Sequence, residues 1–472
     1  MAVLFVVAFL MRLVPVLSGA GLLGIGQYDD GVHYAAALAL VNGQLPYRDF
    51  LFLQPPGIVI ALIPFAALGA ATHDSLGFIV ARLAWMLLGA VNAVLVARLL
   101  RRTGTLAAVA GGVFYAVYYP AIHVERSIML EGLTNACLIV ALLLVLPSEG
   151  RSDRPWRSVV AGALLGVSTG IKIWGLVIAL VVIIWAVVAR RYRDAGLIAV
   201  GTAAGATAMC GPFFLAAPAA MWRMVVRDQI MRPANGGDPL HRLPAIAAVP
   251  GTALQPAMVI CLAFLFLTAL SLRISSLRVA PELVIALGAL LMLTPSYFSH
   301  YAAVLAVPLA IVVGAAFHVF ADLLARAARR ARVAVGLVGL VAGFGPGRHG
   351  RADADEPGGQ GIPLATARRV GGGAARLRHR RRTGGAHPAG RVQPQRRARL
   401  PRGHRSRRQL LRPHAWAGYP PNPQPGLPRL CPALHVIGLG IARGQVPRWN
   451  RTVQANAEVD PLVAASGLGR RL

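Results

Sequence analysis

Long apolar runs separated by short polar segments dominate residues 1–344. Runs of about 17 or more apolar residues recur, a length that spans the hydrocarbon core of a bilayer as an α-helix. The pattern therefore predicts an all-α polytopic membrane protein with about 10–11 transmembrane helices. The predicted spans are 2–20, 80–98, 104–120, 128–147, 158–172, 173–189, 195–217, 251–272, 281–297, 300–322 and a weaker 331–344.

The N-terminal run and the stretch 57–70 decide the topology. Residues 1–20 have no basic leader and contain Arg12, so we interpret them as a membrane helix and not as a cleaved signal peptide. The stretch 57–70 is short for a span and begins at Pro55-Pro56. We predict that it lies along the outer surface, because this choice and a cytoplasmic N-terminus place the arginine-rich short loops inside. Those loops carry Arg98, Arg101 and Arg102; Arg151, Arg154 and Arg157; Arg190, Arg191 and Arg193; Arg273 and Arg278; and Arg326, Arg329, Arg330 and Arg332.

Composition divides the chain near Gly345. The chain is 56% hydrophobic and only 14% charged, whereas a soluble domain carries about 25% charged residues. The net charge of +30 is unevenly distributed, because residues 345–472 hold half of the 48 basic residues and only 5 of the 18 acidic ones. We therefore predict a membrane domain over 1–344 and a basic Arg/Gly/Pro-rich tail over 345–472.

The tail has three interpretations. It is a disordered polybasic segment that attracts anionic lipid or nucleic acid, an ordinary domain, or off-frame text from a frameshift after about residue 344 in a GC-rich gene. Its apolar content is small for a packed domain. We favour the frameshift, which implies a truncated membrane protein with a disordered tail.

Two further patterns concern packing and cysteine chemistry. Glycines at four-residue spacing predict close helix–helix contact; they are Gly162, Gly166 and Gly170 in one run, and Gly201 and Gly205 in another. The four cysteines show no metal-type or disulfide-framework spacing, so we assign them no redox role.

The polar residues that follow the first span carry the candidate chemistry. They form the segment Tyr28-Asp29-Asp30-Gly31-Val32-His33-Tyr34, followed by Leu45-Pro46-Tyr47-Arg48-Asp49-Phe50 and Gln54-Pro55-Pro56-Gly57. Two adjacent carboxylates at a membrane boundary are costly to place there, which favours a functional role. The bland alternative is a helix start, where acidic residues cap and complement the helix dipole.

This arrangement resembles the first external loop of the GT-C superfamily, integral-membrane glycosyltransferases that use lipid-phosphate-linked sugars. Its members include the protein O-mannosyltransferases, the aminoarabinose transferases of lipid A and actinobacterial cell-envelope mannosyl- and arabinosyltransferases. The resemblance covers about residues 1–330. It implies a GT-C-like bundle whose first external loop carries interfacial helices, and a chemistry that needs a base, an aligned anomeric carbon and positive charge for the departing lipid phosphate.

The same resemblance supplies the site residues. Asp29 or Asp30 is expected to be the general base, with a preference for Asp29, because adjacent carboxylates repel and the pKa of one can rise. Glu131 and Glu125 fit the second acidic position of the superfamily; for Glu125 the alternative is a surface pair with Arg126. The expected substrate-binding residues are Lys172, Arg126, Arg227, Arg232, His300 and Tyr301.

Several of these residues have structural alternatives. Lys172, the only lysine, suits a lipid phosphate as a point charge, but it could equally snorkel to the interface. Arg227 and Arg232 could be rim charges, and His300-Tyr301 an interfacial anchor. No metal ligands are identified, and a divalent metal ion as cofactor is left open.

The predicted function is transfer of a sugar of the mannose or arabinose class from a polyprenyl-phosphate donor to a cell-envelope glycan, glycolipid or protein. The expected location is the plasma membrane, with an inverting active site facing outside and no nucleic-acid partner. The alternative is a non-enzymatic transporter or lipid-carrier flippase. A transporter would place charges in mid-membrane on broken helices, whereas ionisable residues here avoid the span centres apart from Arg12.

Overall fold

The computed structural model describes residues 1–19, 21–24, 28–146, 154–233 and 238–343. Within these ranges the chain is helical and forms no β-strand; an isolated bridge joins Pro46 to Phe50. The all-α class predicted from the apolar runs is therefore confirmed. The predictions about the tail at 345–472 lie outside the described residues.

Sixteen α-helices make up the described part of the fold. They are α1 (Ala2–Leu17), α2 (Tyr28–Val41), α3 (Gly57–Ala71), α4 (Asp74–Leu100), α5 (Thr105–Val117), α6 (Tyr119–Glu125), α7 (Leu130–Val145), α8 (Pro155–Ile171), α9 (Gly175–Val188), α10 (Tyr192–Ala216), α11 (Pro218–Trp222), α12 (Asp228–Ile230), α13 (Leu243–Ile246), α14 (Leu254–Ser271), α15 (Val279–Leu293) and α16 (Ala306–Gly343). A π-helical turn, Arg223–Arg227, joins α11 to α12, and 3₁₀ turns occupy Pro239–Arg242, Ser275–Leu277 and Ser299–Leu305.

Five helical stretches of the described chain are long and apolar enough to cross a bilayer. They are Asp74–Leu100, Tyr192–Ala216, Leu254–Ser271, Ser275–Leu293 and Ser299–Val333. A sixth arises if α5 and α6, which meet at 57°, are one broken span, and α1, α3, α7 and α9 are shorter apolar helices. The chain is thus a multi-pass membrane protein, as predicted. Some of the predicted 10–11 spans correspond to helices that are shorter than the apolar runs. For example, Met129 and Lys172 are extended, so α7 begins after Met129 and α8 ends before Lys172.

The C-terminal end of the described bundle differs from the prediction. The predicted spans 300–322 and 331–344 were expected to be separated by an arginine loop, but α16 runs through both. The intervening segment contains no glycine or proline and is rich in alanine and arginine, which are strong helix formers. An i,i+4 ion pair of 2.6 Å between Asp322 and Arg326 supports the helix there. The separate span 331–344 was therefore wrong, because the charges interrupt the apolar run without interrupting the helix.

Helices α8 and α10 pack so closely at their glycines that no side chain would fit at those positions. A Cβ atom at Gly162 would overlap the carbonyl of Ile198, and one at Gly166 would overlap the carbonyl of Thr202. In the other direction, Gly201 and Gly205 face the backbone of α8 in the same way. The predicted close contact of the glycine-bearing helices is therefore confirmed.

The first loop builds an apolar cluster of its own. Ile58, Val59 and Leu62 of α3 are fully buried and belong to a cluster with Trp85 of α4 and Ile128. Helix α3 packs against both α2 and α4. This cluster supports the first turn of α2, which carries the two adjacent aspartates. The prediction that 57–70 lies along the membrane surface stays a prediction.

Candidate active site

Glu131 and Lys172 form a buried ion pair where α7 begins and α8 ends. Met129 is extended, so α7 begins at Leu130 and Glu131 lies in its first turn. Lys172 is also extended and separates α8 from α9. Its Nζ atom bonds Glu131 Oε1, and the side chains of Lys172 and Glu131 are 5% and 0% exposed. The packing of α7 on α8 thus joins two residues that the sequence singled out separately.

Two aromatic rings enclose the Lys172 ammonium. The Nζ atom lies 4.5 Å from the ring centre of Trp174 and 4.2 Å from that of Tyr301. The two rings meet edge to face, with centres 4.5 Å apart. His300 contacts Tyr301 edge-on at 4.7 Å and stacks on Phe298 at 5.8 Å. A cation over aromatic faces is stabilised by the ring quadrupoles, so one carboxylate and two rings fix this amine in place.

A small cavity that is open to solvent lies beside Lys172. Arg232 adds a second cation to its wall; the guanidinium carbon lies 5.2 Å from the Phe298 ring centre, and the side chain bonds Tyr301. The cavity therefore presents two positive groups, amides, hydroxyls and aromatic rings together. Its lining residues are Gln54, Lys172, Ile173, Trp174, Gln229, Arg232, Thr294, Ser296 and Tyr301.

The first loop forms one wall of this cavity through Gln54. The Tyr47 hydroxyl donates to the Gln54 carbonyl at 2.6 Å. Burial raises the pKa of the Tyr47 hydroxyl well above its usual value, so it remains a neutral donor. On the opposite wall, the Gln229 amide donates to the Leu53 carbonyl at 2.8 Å. The first bond braces the first loop internally, and the second fixes that loop against the segment that carries Arg232.

The adjacent aspartates of α2 have different surroundings. Asp29 is half-buried and lies within electrostatic range of His300 and Tyr301, as does Glu131. Asp30 is fully buried. Its Oδ1 atom accepts the Ile128 N–H at 2.9 Å, and its Oδ2 atom lies 3.5 Å from Arg82 Nη2. Both aspartates lie in the first helical turn, where the dipole favours them.

Glu125 lies in the interior of the bundle and not on a wet loop. It forms an ion pair with Arg12 at 2.6 Å, and both side chains are fully buried. Its other oxygen accepts from Asn92 at 2.8 Å and from the Tyr115 hydroxyl at 2.7 Å. The alternative interpretation of Glu125, a surface pair with Arg126, is therefore wrong, because Glu125 is buried and pairs with Arg12. The structure does not bring Glu125 to the cavity wall.

Two of the predicted basic residues also lie outside the cavity wall. Arg126 is half-buried, with its guanidinium 3.3 Å from His123 Nδ1 and 5.8 Å from the Tyr119 ring centre. Arg227 is exposed in the π-helical turn. The candidates that the structure gathers are thus Asp29, Glu131, Lys172, Arg232, His300 and Tyr301.

Sequence reasoning missed two buried residues beside this group. Arg82 of α4 bonds the backbone of the loops before α2 and α7. Its available signal was an arginine inside a predicted span. His33 Nδ1 lies 2.8 Å from the Ile128 carbonyl, and since a carbonyl only accepts, this nitrogen carries the proton. The spacing of His33 four residues after Asp29 would have placed both on one helix face.

The described part of the chain contains no cluster of side chains arranged as metal ligands. No group of three or more His, Cys, Asp or Glu side chains there is placed to hold a metal ion. The nearby Asp29, Glu131 and His300 do not form such a group.

The bundle and its buried site define a class: a multi-pass helical membrane protein with a polar cavity at the helix ends. A comparison of the sequence with protein-family models and with curated protein sequences finds no match. Two solved structures share its fold. One is the crystal structure of ArnT from Cupriavidus metallidurans bound to undecaprenyl phosphate, with a TM-score of 0.53 and 20% identity. The other is the same protein in the apo state, with a TM-score of 0.51 and 20% identity.

Each match covers 67% of this chain and 59% of ArnT, so the chain spans about three fifths of the length of that protein. The likeness confirms the fold implied by the resemblance to the GT-C superfamily, a polytopic helical bundle of the ArnT type.

Proposed function

We propose that this protein is a membrane glycosyltransferase that takes a sugar from a polyprenyl-phosphate donor. The observation that supports this most is the Glu131–Lys172 pair at the wall of a cavity that also holds Arg232, in a chain with the fold of ArnT. A lipid-linked donor explains why the polar cavity lies among membrane helices. The undecaprenyl phosphate in the ArnT crystal structure is a ligand of the same chemical class.

Lys172 and Arg232 are the proposed phosphate ligands. Both side chains line the cavity, and Lys172 is already held by Glu131 and two rings. Positive groups placed before the reaction stabilise the charge that develops on the departing lipid phosphate. When the phosphodiester monoanion of the donor enters, Lys172 can be shared between it and Glu131, and the lipid phosphate gains its second negative charge as the glycosidic bond breaks. The aromatic faces of Trp174 and Tyr301 exclude water from the amine on the other side.

Asp29 is the proposed base for the acceptor hydroxyl. It is half-buried at the start of α2, within electrostatic range of His300 and Tyr301. Glu131 is committed to Lys172, which favours its charged form but also occupies one of its oxygens. A base on one side of the anomeric carbon and the cations on the other correspond to direct displacement with inversion. The outer face of the plasma membrane, a mannose- or arabinose-class sugar and a cell-envelope acceptor belong to the same proposal.

Binding of undecaprenyl phosphate to the purified protein in nanodiscs tests the cavity directly. Lys172→Met should weaken binding by about 10-fold or more, because it removes a charge-assisted contact. Lys172→Arg should retain part of the affinity for undecaprenyl phosphate. Arg98→Gln is the matched control, since Arg98 is an exposed arginine in the last turn of α4. Equal affinity in Lys172→Met and the parent protein would refute the assignment of the cavity.

The flippase alternative has one observation in its favour. The broken pair α5–α6 carries a buried charge, Glu125, of the kind that transporters place on discontinuous helices. Its carboxylate is, however, fully bonded within the protein, which suits a structural pair better than a substrate site. Transfer of a radiolabelled sugar from a polyprenyl-phosphate donor in sealed vesicles would separate the two functions, because a flippase moves the lipid without breaking the glycosidic bond.

A further inference from the structure

We infer that Asp30 and Arg82 form a positioning clamp that fixes the loop before α7, and thereby Glu131, relative to Asp29. The inference rests on the proposed function, because it assigns separate tasks to the two adjacent aspartates of the same site. Asp29 faces the reacting groups, whereas Asp30 acts only through the loop it holds.

The clamp is seen in the backbone of residues 126–129, which we call the bridging segment. This segment lies between α6 and α7, and its Arg126 N–H bonds the Ile122 carbonyl of α6 at 3.0 Å. The Ile128 N–H donates to Asp30 Oδ1 at 2.9 Å, and the Ile128 carbonyl accepts from His33 at 2.8 Å. The Arg126 carbonyl accepts from Arg82 Nε at 2.9 Å. Buried backbone groups must be paired, so side chains of α2 and α4 dictate the path of the segment.

Trp85 adds a fourth contact to the bridging segment. Its indole N–H donates to the Met129 carbonyl at 2.9 Å, one residue before α7 begins. Glu131 follows two residues later in the first helical turn. Because this segment is a turn that ends in the extended residue Met129 and is held at four backbone atoms, a shift of its path moves the start of α7 and with it the Glu131 carboxylate.

Arg82 joins the bridging segment to the connection between α1 and α2, which leads into Asp29 and Asp30. Its Nη1 atom donates to the carbonyl of Leu22 at 3.0 Å and also to that of Gly24, both in the connection between α1 and α2. Its Nη2 atom lies 3.5 Å from Asp30 Oδ2. One guanidinium, 3% exposed, therefore contacts the chain shortly before Asp29 and shortly before Glu131. A planar fork with five donors can do this, and a lysine cannot.

Burial separates Asp30 from the reaction. Its side chain has no exposure, accepts the Ile128 N–H and forms an ion pair with Arg82, so an acceptor hydroxyl has no approach to it. Asp29, its neighbour, is half-buried. Outer contacts that orient reacting groups typically contribute about 10- to 100-fold in activity when removed. Asp30 and Arg82 are accordingly positioning residues.

Hydrogen exchange tests the clamp without any ligand. In Asp30→Ala, the amides of the bridging segment should exchange about 10- to 100-fold faster, because a buried hydrogen bond to a charged group is lost. Arg82→Lys is a milder second variant that should accelerate the same peptide and keep the bundle folded. Asp49→Asn is the control, since Asp49 is an exposed acidic residue in the connection between α2 and α3. Unchanged exchange in both variants would overturn the clamp, whatever the enzyme does.

The pH dependence of transfer tests the division of tasks. Asp30→Asn should lower the turnover number about 10- to 100-fold while the acid limb of the rate profile keeps its midpoint. Asp29→Asn should remove that limb. If Asp30→Asn removes the limb instead, Asp30 is the base and the positioning role fails. If exchange responds as expected and the protein transfers no sugar, the clamp stands and the proposed function fails.

Discussion

The buried pair of Arg12 and Glu125 is the feature whose removal should cost the most stability. Glu125→Ala leaves the Arg12 guanidinium fully buried without its carboxylate. It also removes the acceptor for Asn92 and the Tyr115 hydroxyl. Breaking a buried pair by deleting one partner costs about 3–5 kcal/mol, because the remaining charge stays uncompensated. We expect a destabilisation in that range in reversible SDS unfolding of the protein in mixed micelles.

A double substitution distinguishes the pair from its two members. Arg12→Met together with Glu125→Gln removes both charges and keeps an acceptor for Asn92 and Tyr115. It should therefore be less destabilised than the sum of the single substitutions by about 1–3 kcal/mol. Asp49→Asn, in the exposed pair with Arg48, is the control and should cost less than about 1 kcal/mol. Additive single effects, or a cost below about 1 kcal/mol for Glu125→Ala, would refute this reasoning.

Glu125→Gln also tests the catalytic role predicted for Glu125 from the sequence: we expect a destabilised protein whose folded fraction transfers sugar at a rate within about 10-fold of the parent, and turnover lost from a well-folded fraction would make Glu125 catalytic. Asp29→Asn should fold and bind undecaprenyl phosphate, but turn over about 10²–10⁴-fold more slowly in a transfer assay; near-normal turnover would leave Glu131 as the next candidate for the base. Gly166→Leu should separate α8 from α10 and abolish stable folding in a detergent unfolding assay, whereas Gly196→Ala, where a Cβ atom meets nothing within 4 Å, should be neutral or stabilising by up to about 1 kcal/mol. In a background without the four native cysteines, His73→Cys should react with a membrane-impermeant thiol reagent from outside and Thr103→Cys should not; external labelling of position 103 would mean that α3 crosses the membrane.

The apolar pattern predicted the positions of the helices well, but it predicted poorly which polar residues are buried in the bundle. Run length predicted helices at the correct places because each run had to bury or face lipid along its whole length. It placed Glu125 on an outer loop, since the chain there is polar and short. The structure instead turns α6 back into the bundle, where Arg12 meets it. Arg12 was noticed as an interruption of the first run, but no sequence rule pairs residues that are 113 positions apart.

The residues of the candidate site could be predicted from the sequence, but the contacts between them could not. Asp29, Glu131 and Lys172 were each selected from local signals: an acidic pair, an acid at a helix start and a lone lysine. The contact between Glu131 and Lys172 depends on the packing of α7 on α8 and on the extended backbone at Lys172. Arg82 had only a weak signal, because a single arginine near the end of a span usually snorkels to the interface. Its four partners come from backbone carbonyls and one carboxylate, which leave no trace in sequence.

Two of the buried ion pairs in the described bundle, Arg12–Glu125 and Lys172–Glu131, differ in one respect that bears on function. Both oxygens of Glu125 are bonded, one to Arg12 and the other to Asn92 and Tyr115. Glu131 bonds Lys172 through Oε1, whereas its buried Oε2 atom accepts no hydrogen bond from any other described residue. An unpaired buried acceptor is costly in a low-dielectric interior, and such groups persist where function requires them. The saturated pair therefore stabilises the bundle. Under the proposed function, we expect the unsaturated pair, whose Lys172 lies beside an open cavity, to exchange a partner when a phosphate or a sugar hydroxyl binds.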